Sequence, residues 1–111
     1  MRREPYDDIA IVDVADVDLT IRNINGIYTK IQDALVEKRH IALAISESSA
    51  ADLSFVQLIE SARLHAQDLG KSISLTQPAS ANIRRVLERG GFLSRPAPET
   101  LQFWLHEERT P

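Results

Sequence analysis

Midway along the chain, Ile41-Ala42-Leu43-Ala44-Ile45 forms a continuous apolar run of strand length, and helical periodicity flanks it on both sides. Its large residues alternate with alanines, which predicts a central strand with helices packed on the large side. Before it, Ile24, Ile27, Tyr28, Ile31, Ala34 and Leu35 recur as one stripe of a helix. After it, Phe55, Leu58, Ile59, Ala62, Ala66 and Leu69 do the same, with Gly70 to end the helix. Strands separated by helices need crossover connections, and crossovers join parallel strands.

Shorter signals complete the order. Ile9 and Ile11 with their neighbours, then Val17, Leu19 and Ile21 alternating with Asp18, Thr20 and Arg22, read as two strands. The short Val14-Ala15-Asp16 link makes them an antiparallel hairpin. Asn23 is expected to cap the first helix with its side-chain oxygen, and Lys38 and Arg39 sit at the negative end of that helix. Ile73 and Leu75, alternating with Ser72, Ser74 and Thr76, mark another strand with one dry face. Ile83, Val86 and Leu87 then line a short helix that stops at Gly90-Gly91. After the stiff Arg95-Pro96-Ala97-Pro98 break, Leu101, Trp104 and Leu105 share one face of a C-terminal helix. The expected order is β-β-α-β-α-β-α-α, a two-layer α/β domain with helices mainly on one face of the sheet. One domain over residues 1–111 is expected, with a core at about 8–93 and a proline-containing linker and C-terminal helix over 94–111.

The charge balance narrows what the domain binds. A net charge of -3 leaves no basic footprint, so nucleic acid is not an expected partner. The absence of cysteine removes disulfides, thiolate metal sites and thiol nucleophiles. The N-terminal Met1-Arg2-Arg3-Glu4-Pro5-Tyr6-Asp7-Asp8 begins positively but continues with acids and a proline instead of an apolar stretch, and no window approaches the length of a membrane span. A cytoplasmic protein without membrane insertion is the expectation.

Chemistry-bearing motifs are sparse. His40, His65 and His106 lack metal-ligand spacing, and His65 falls among the polar positions of its helix. Ser54 has no G-x-S-x-G context, and Gly26, Gly70, Gly90 and Gly91 build neither a P-loop nor a dinucleotide turn. The carboxylate pairs Asp7-Asp8 and Glu107-Glu108 read as solvated surface. No catalytic residue, metal site or cofactor is expected. Arg84, Arg85 and Arg89 form a basic patch on the outer side of their helix, and Trp104 reads as packing.

Three loops follow strand ends, spanning 23–26, 46–54 and 77–82, and in an open sheet such loops gather at one edge. Ser54-Phe55-Val56-Gln57 matches a capping box, with Ser49-Ala50-Ala51-Asp52 as a competing match one turn earlier. A cap explains Ser54; a hydroxyl at a helix start also accommodates a phosphate. Leu53 and Val56 flank Ser54 off the main stripe and are expected to leave an apolar spot exposed beside it.

Ala51 to Phe92, taken with the element order, resembles the STAS domain shared by sulfate transporters and anti-sigma-factor antagonists. That family repeats an aspartate after the third strand, a serine or threonine at the helix start, then L-x-x-A-x-x-x-A-x-x-x-G. Here Asp52, Ser54, Leu58, Ser61 or Ala62, Ala66 and Gly70 supply the pattern, and Leu75 to Ala81 matches the strand that ends before a small-residue helix. The resemblance covers roughly residues 8–93. It implies a four-to-five-stranded mixed sheet and a bacterial, non-enzymatic signalling module that binds a kinase-like anti-sigma factor or a signalling histidine kinase. By position it makes Ser54 the phosphoacceptor, with Asp52, Leu53, Val56, Gln57, Asn25 and Ser80 forming the switch and partner surface. Antagonists read Asp-Ser-Ser-Gly where this chain has Asp52-Leu53-Ser54-Phe55. The form found here is similar to STAS proteins that accompany bacterial chemotaxis and two-component systems. It is also similar to the STAS subunit of phospholipid-transport ABC systems, which implies as an alternative constitutive docking without phosphorylation.

Overall fold

The structure, a computed structural model, describes residues 9–107. The N-terminal reading of residues 1–8, the Asp7-Asp8 pair and Glu108 lie outside the described residues. Three strands, β1 (Ile9–Asp13), β2 (His40–Ala44) and β3 (Ser72–Leu75), pair in the order β1-β2-β3, all parallel. Helix α1 (Ile24–Glu37) connects β1 to β2, and α2 (Leu53–Asp68) connects β2 to β3. Helix α3 (Ala81–Arg89) follows β3, and α4 (Pro98–Thr100) runs directly into a π-helical turn, Leu101–Leu105.

The apolar run at residues 41–45 therefore sits where its composition requires, in the middle of the sheet. Ala10 lies opposite Ile41 and Val12 opposite Leu43; Ile41 and Leu43 in turn lie opposite Ile73 and Leu75. Val12, Ile41, Leu43, Ile73 and Leu75 are all buried on this face, under the α1 and α2 stripes carried by Ile27, Ile31, Leu35, Phe55, Ile59, Ala62 and Ala66. Two helices on the same side of strands laid down in sequence order follow from right-handed crossovers. The opposite face is open: Ile9, Ile11, Ser72 and Ser74 are exposed there. The result is a two-layer α/β arrangement among the described residues.

The expected hairpin is not formed. Val17 to Ile21 builds no strand, and the only ladder contact in that stretch is a parallel bridge between Leu19 and Ala51. Leu19 donates its N–H to Ala50 O at 2.7 Å and accepts from Asp52 N at 3.0 Å. The period-two signal has a different origin: Leu19 is fully buried and Val17 half-buried, while Ile21 points out of a 3-10 turn, Ile21–Asn23. One buried residue in an extended crossing gives the same alternation as a short strand. The sheet described thus has three parallel strands, not the mixed four to five expected.

Two stripe residues also depart from expectation. Tyr28 and Leu69 are exposed, the first at the margin of the α1 stripe and the second at the C-cap of α2. Gly70 closes α2 with φ +71, which lets its N–H bond Gln67 O at 3.0 Å while Lys71 N bonds Ala66 O at 2.8 Å.

The C-terminal segment completes the core. Pro98 opens α4 at a first-turn position, where its missing N–H costs nothing. Leu101, Phe103, Trp104 and Leu105 are then all buried in the same cluster as the sheet and helices. The Trp104 ring meets Phe55 edge-on at 6.4 Å and Phe103 at 4.9 Å, and its Nε1 donates to Glu60 Oε1 at 2.7 Å. Arg63 bonds the same Glu60 oxygen at 2.9 Å and lies 4.3 Å over the Phe103 ring, so one α2 ion pair clamps the C-terminal turn. Among the described residues no helix is long and apolar enough to cross a membrane.

Candidate functional site

Three loops converge at the C-terminal end of the sheet, but the first is the stretch 14–20 after β1 and not the expected 23–26, which falls in the 3-10 turn and the first turn of α1. Asn82 Nδ2 donates to Ser49 O at 3.0 Å, joining the start of α3 to the 46–52 loop. Ala50 N donates to Asp18 Oδ1 at 3.2 Å, and Ile21 N donates to Asp52 Oδ2 at 2.9 Å, joining that same loop to the lead-in of α1. Ser49 is buried at this junction, and Ser46 and Ser48 pin the intervening turn with hydroxyls 2.9 Å apart.

Asp52 is the centre of the junction. It is the N-cap of α2, with extended backbone angles, and its Oδ1 accepts from Phe55 N at 3.4 Å. The Ser54 hydroxyl donates to the same Oδ1, while Oδ2 holds Ile21, 31 positions away. The cap is therefore Asp52, not Ser54. Asp52 wins because it alone reaches both the free N–H groups of the first turn and the Ile21 amide; Ser54, the second residue of the helix, donates its hydroxyl to the cap. Partial burial works to raise the Asp52 pKa, but donation from the Ser54 hydroxyl and from the N–H groups of Ile21, Phe55 and Ser54 outweighs it and holds the carboxyl below its usual range. A carboxylate so stabilised is a weak base, and His40, His65 and His106 make no hydrogen bond to it.

The surrounding residues divide by exposure. Leu53 is 43% exposed and Gln57 is exposed beside it, whereas Val56 is fully buried. Val56 therefore leaves the expected apolar spot: α2 rests on the sheet and α1 through a stripe one position wider than the sequence period indicated. Ile21, which sequence reasoning placed inside a strand, is 67% exposed and supplies an apolar side chain on the neighbouring turn that Asp52 holds. Asn25 is exposed in the first turn of α1, and its carbonyl accepts from the Thr29 hydroxyl. Ser80 is the N-cap of α3, accepting from Ile83 N at 3.2 Å. Asn23 does not cap α1 with its side chain; its Nδ2 donates instead to Asp18 O at 2.9 Å.

No protein-family model matches the chain, and no curated protein or solved structure matches it significantly. Among the described residues no group of three or more histidine or acidic side chains is placed to hold a metal ion.

Proposed function

We propose that this chain is a STAS-type protein-binding module whose docking surface is the start of α2 together with the lead-in of α1, and whose state is set by phosphorylation of Ser54. The observation that carries the reading is the hydrogen bond from the Ser54 hydroxyl to the carboxylate that tethers Ile21. Once esterified, the Ser54 Oγ has no proton to donate, and the phosphate brings about -1.5 to -2 charges against Asp52. Two unit anions about 4 Å apart repel by about 1 kcal/mol in water and about 4 kcal/mol at the effective dielectric of a protein surface. The Ser54–Asp52 bond is lost, and the repulsion of Asp52 loosens the Ile21 tether. One modification thus changes charge at the surface and shifts the exposed Ile21 and Leu53 that flank it.

In this reading the protein acts without chemistry of its own, inside a bacterial cell, on a kinase-like partner such as an anti-sigma factor or a signalling histidine kinase. The test is affinity capture from the native cytosol with wild type, Ser54→Ala and Ser54→Glu, quantified by mass spectrometry. An ATP-binding, kinase-like protein retained by wild type and Ser54→Ala and lost from Ser54→Glu is the expected result. Equal capture of every partner by all three proteins refutes the switch; if those partners are ABC-transporter subunits, the chain is instead a constitutive docking subunit.

A further inference from the structure

A second feature of the same junction specifies the chemistry of what docks there. Arg85 and Arg89, one helical turn apart on α3, line a concavity of about 250 Å³ together with Asn82, Val86, Ala50 and Ala51. Asn82 is fixed by its bond to Ser49 O, and its Oδ1 accepts from Arg85 Nη2 at 2.8 Å. Arg85 Nε also points back to Ala81 O at 3.5 Å. The Arg85 guanidinium is thus held in place by neutral acceptors, with donors to spare. Among the described residues neither Arg85 nor Arg89 pairs with a carboxylate; the one ion pair, Arg63–Glu60, lies on α2. In a chain of net charge -3, two arginines without a carboxylate partner line this concavity, next to the Asp18 carboxylate that Ala50 N bonds, and concentrate positive charge along its α3 side.

We propose that this concavity receives an acidic side chain, Asp or Glu, of a protein partner docked on the start of α2. The inference rests on the docking reading above and names the partner's chemistry. The arginines supply the complementary charge, and a guanidinium preset by Asn82 meets a carboxylate in the two-point geometry that favours arginine over lysine. The lining argues for a side chain rather than a free anion. Alanine methyls and Val86 offer no hydrogen bonds to a small ion, and Ala50 N is already committed to Asp18. A carboxylate carried on a peptide buries those methyls as it reaches the arginines. Ala51, in the pocket's lining, is two residues from the exposed Leu53, so an apolar neighbour of the acid has a place to land.

The experiment selects short random-sequence peptides on the wild-type domain. The bound sequences are then measured as synthetic acid and amide pairs (Asp against Asn, Glu against Gln) on wild type, R85Q/R89Q and Leu53→Ser. Thermal melting confirms that each variant is folded. Selected peptides are expected to carry an acid beside an apolar residue. Replacing the acid by its amide is expected to weaken binding ~10-fold on wild type and to have no effect on R85Q/R89Q. Peptides that lose affinity for Leu53→Ser but bind R85Q/R89Q normally keep the docking surface and overturn the arginine pocket. Peptides indifferent to both substitutions, or a selection that yields none, overturn both. Inorganic phosphate titrated against the isotope-labelled domain is the remaining arm: tight, saturable shifts centred on Arg85 and Arg89 would make the pocket a small-anion site and overturn the assignment to a protein side chain.

Discussion

Asp52 performs three tasks with one carboxylate: it caps α2, holds the Ser54 hydroxyl and tethers Ile21 across the molecule. Asp52→Asn keeps the shape but replaces an anionic acceptor by a neutral one, and Asp52→Ala removes the cap outright. Loss of an N-cap together with a long-range hydrogen bond is expected to cost about 1–3 kcal/mol, read as a lower urea midpoint for Asp52→Ala. The pH dependence has a definite sign. The folded pKa is depressed, so the carboxylate's contribution is complete above its unfolded value of about 4 and is lost as pH falls through the folded one. The stability difference between wild type and Asp52→Asn should therefore be full near neutrality and shrink in strong acid. A constant difference across that range would show that charge is not what Asp52 contributes. The sequence carried two competing capping boxes here, one starting at Ser54 and one at Ser49, and the cap is Asp52, which neither named. Nothing in the local pattern announced Ile21 as the distant donor that Asp52 also holds.

Helices were legible as elements because their apolar residues repeat every three to four positions, and their ends were legible where glycine does the ending. At the end of α3, Gly91 takes φ +82, Phe92 N bonds Leu87 O at 2.9 Å, and the Phe92 ring lies 2.9 Å from where a Cβ on Gly90 would stand. Gly91→Ala is expected to cost ~1 kcal/mol through backbone strain, a drop of roughly 4–8 °C in Tm by calorimetry. Gly90→Ala should be tolerated only if the Phe92 ring gives way. The element that misled was the Val17 to Ile21 alternation. A strand needs a neighbour to accept its hydrogen bonds, and this segment found one only at Leu19, whose two backbone bonds go to Ala50 and Asp52.

At the scale of the molecule, the three-stranded sheet is dry on one face only, so the helix layer carries the whole core. The C-terminal turn closes that layer beside α2, with Trp104 fully buried between Phe55 and Phe103. Trp104→Ala is expected to cost about 3–5 kcal/mol, since it opens a cavity and strips Glu60 of its indole donor. That is a large share of the 5–15 kcal/mol typical of a domain, and chemical denaturation of the variant measures it. A shift of under 1 kcal/mol would mean that the C-terminal turn is not part of the cooperative unit.

The α/β alternation, the central strand and the helix stripes were written in the sequence because hydrophobic period is a local property, set by how side chains leave a strand or a helix. The dry face of β3 and the glycine stops belong with them. Which polar group meets which was not. The Asp52 tether to Ile21, the Asn82 bond to Ser49 that sets Arg85 beside the alanines, and the Trp104–Glu60–Arg63 clamp join residues 31, 33 and 44 positions apart. Such pairings leave no periodic trace along the chain, because each depends on how the layers stack once their apolar faces are buried.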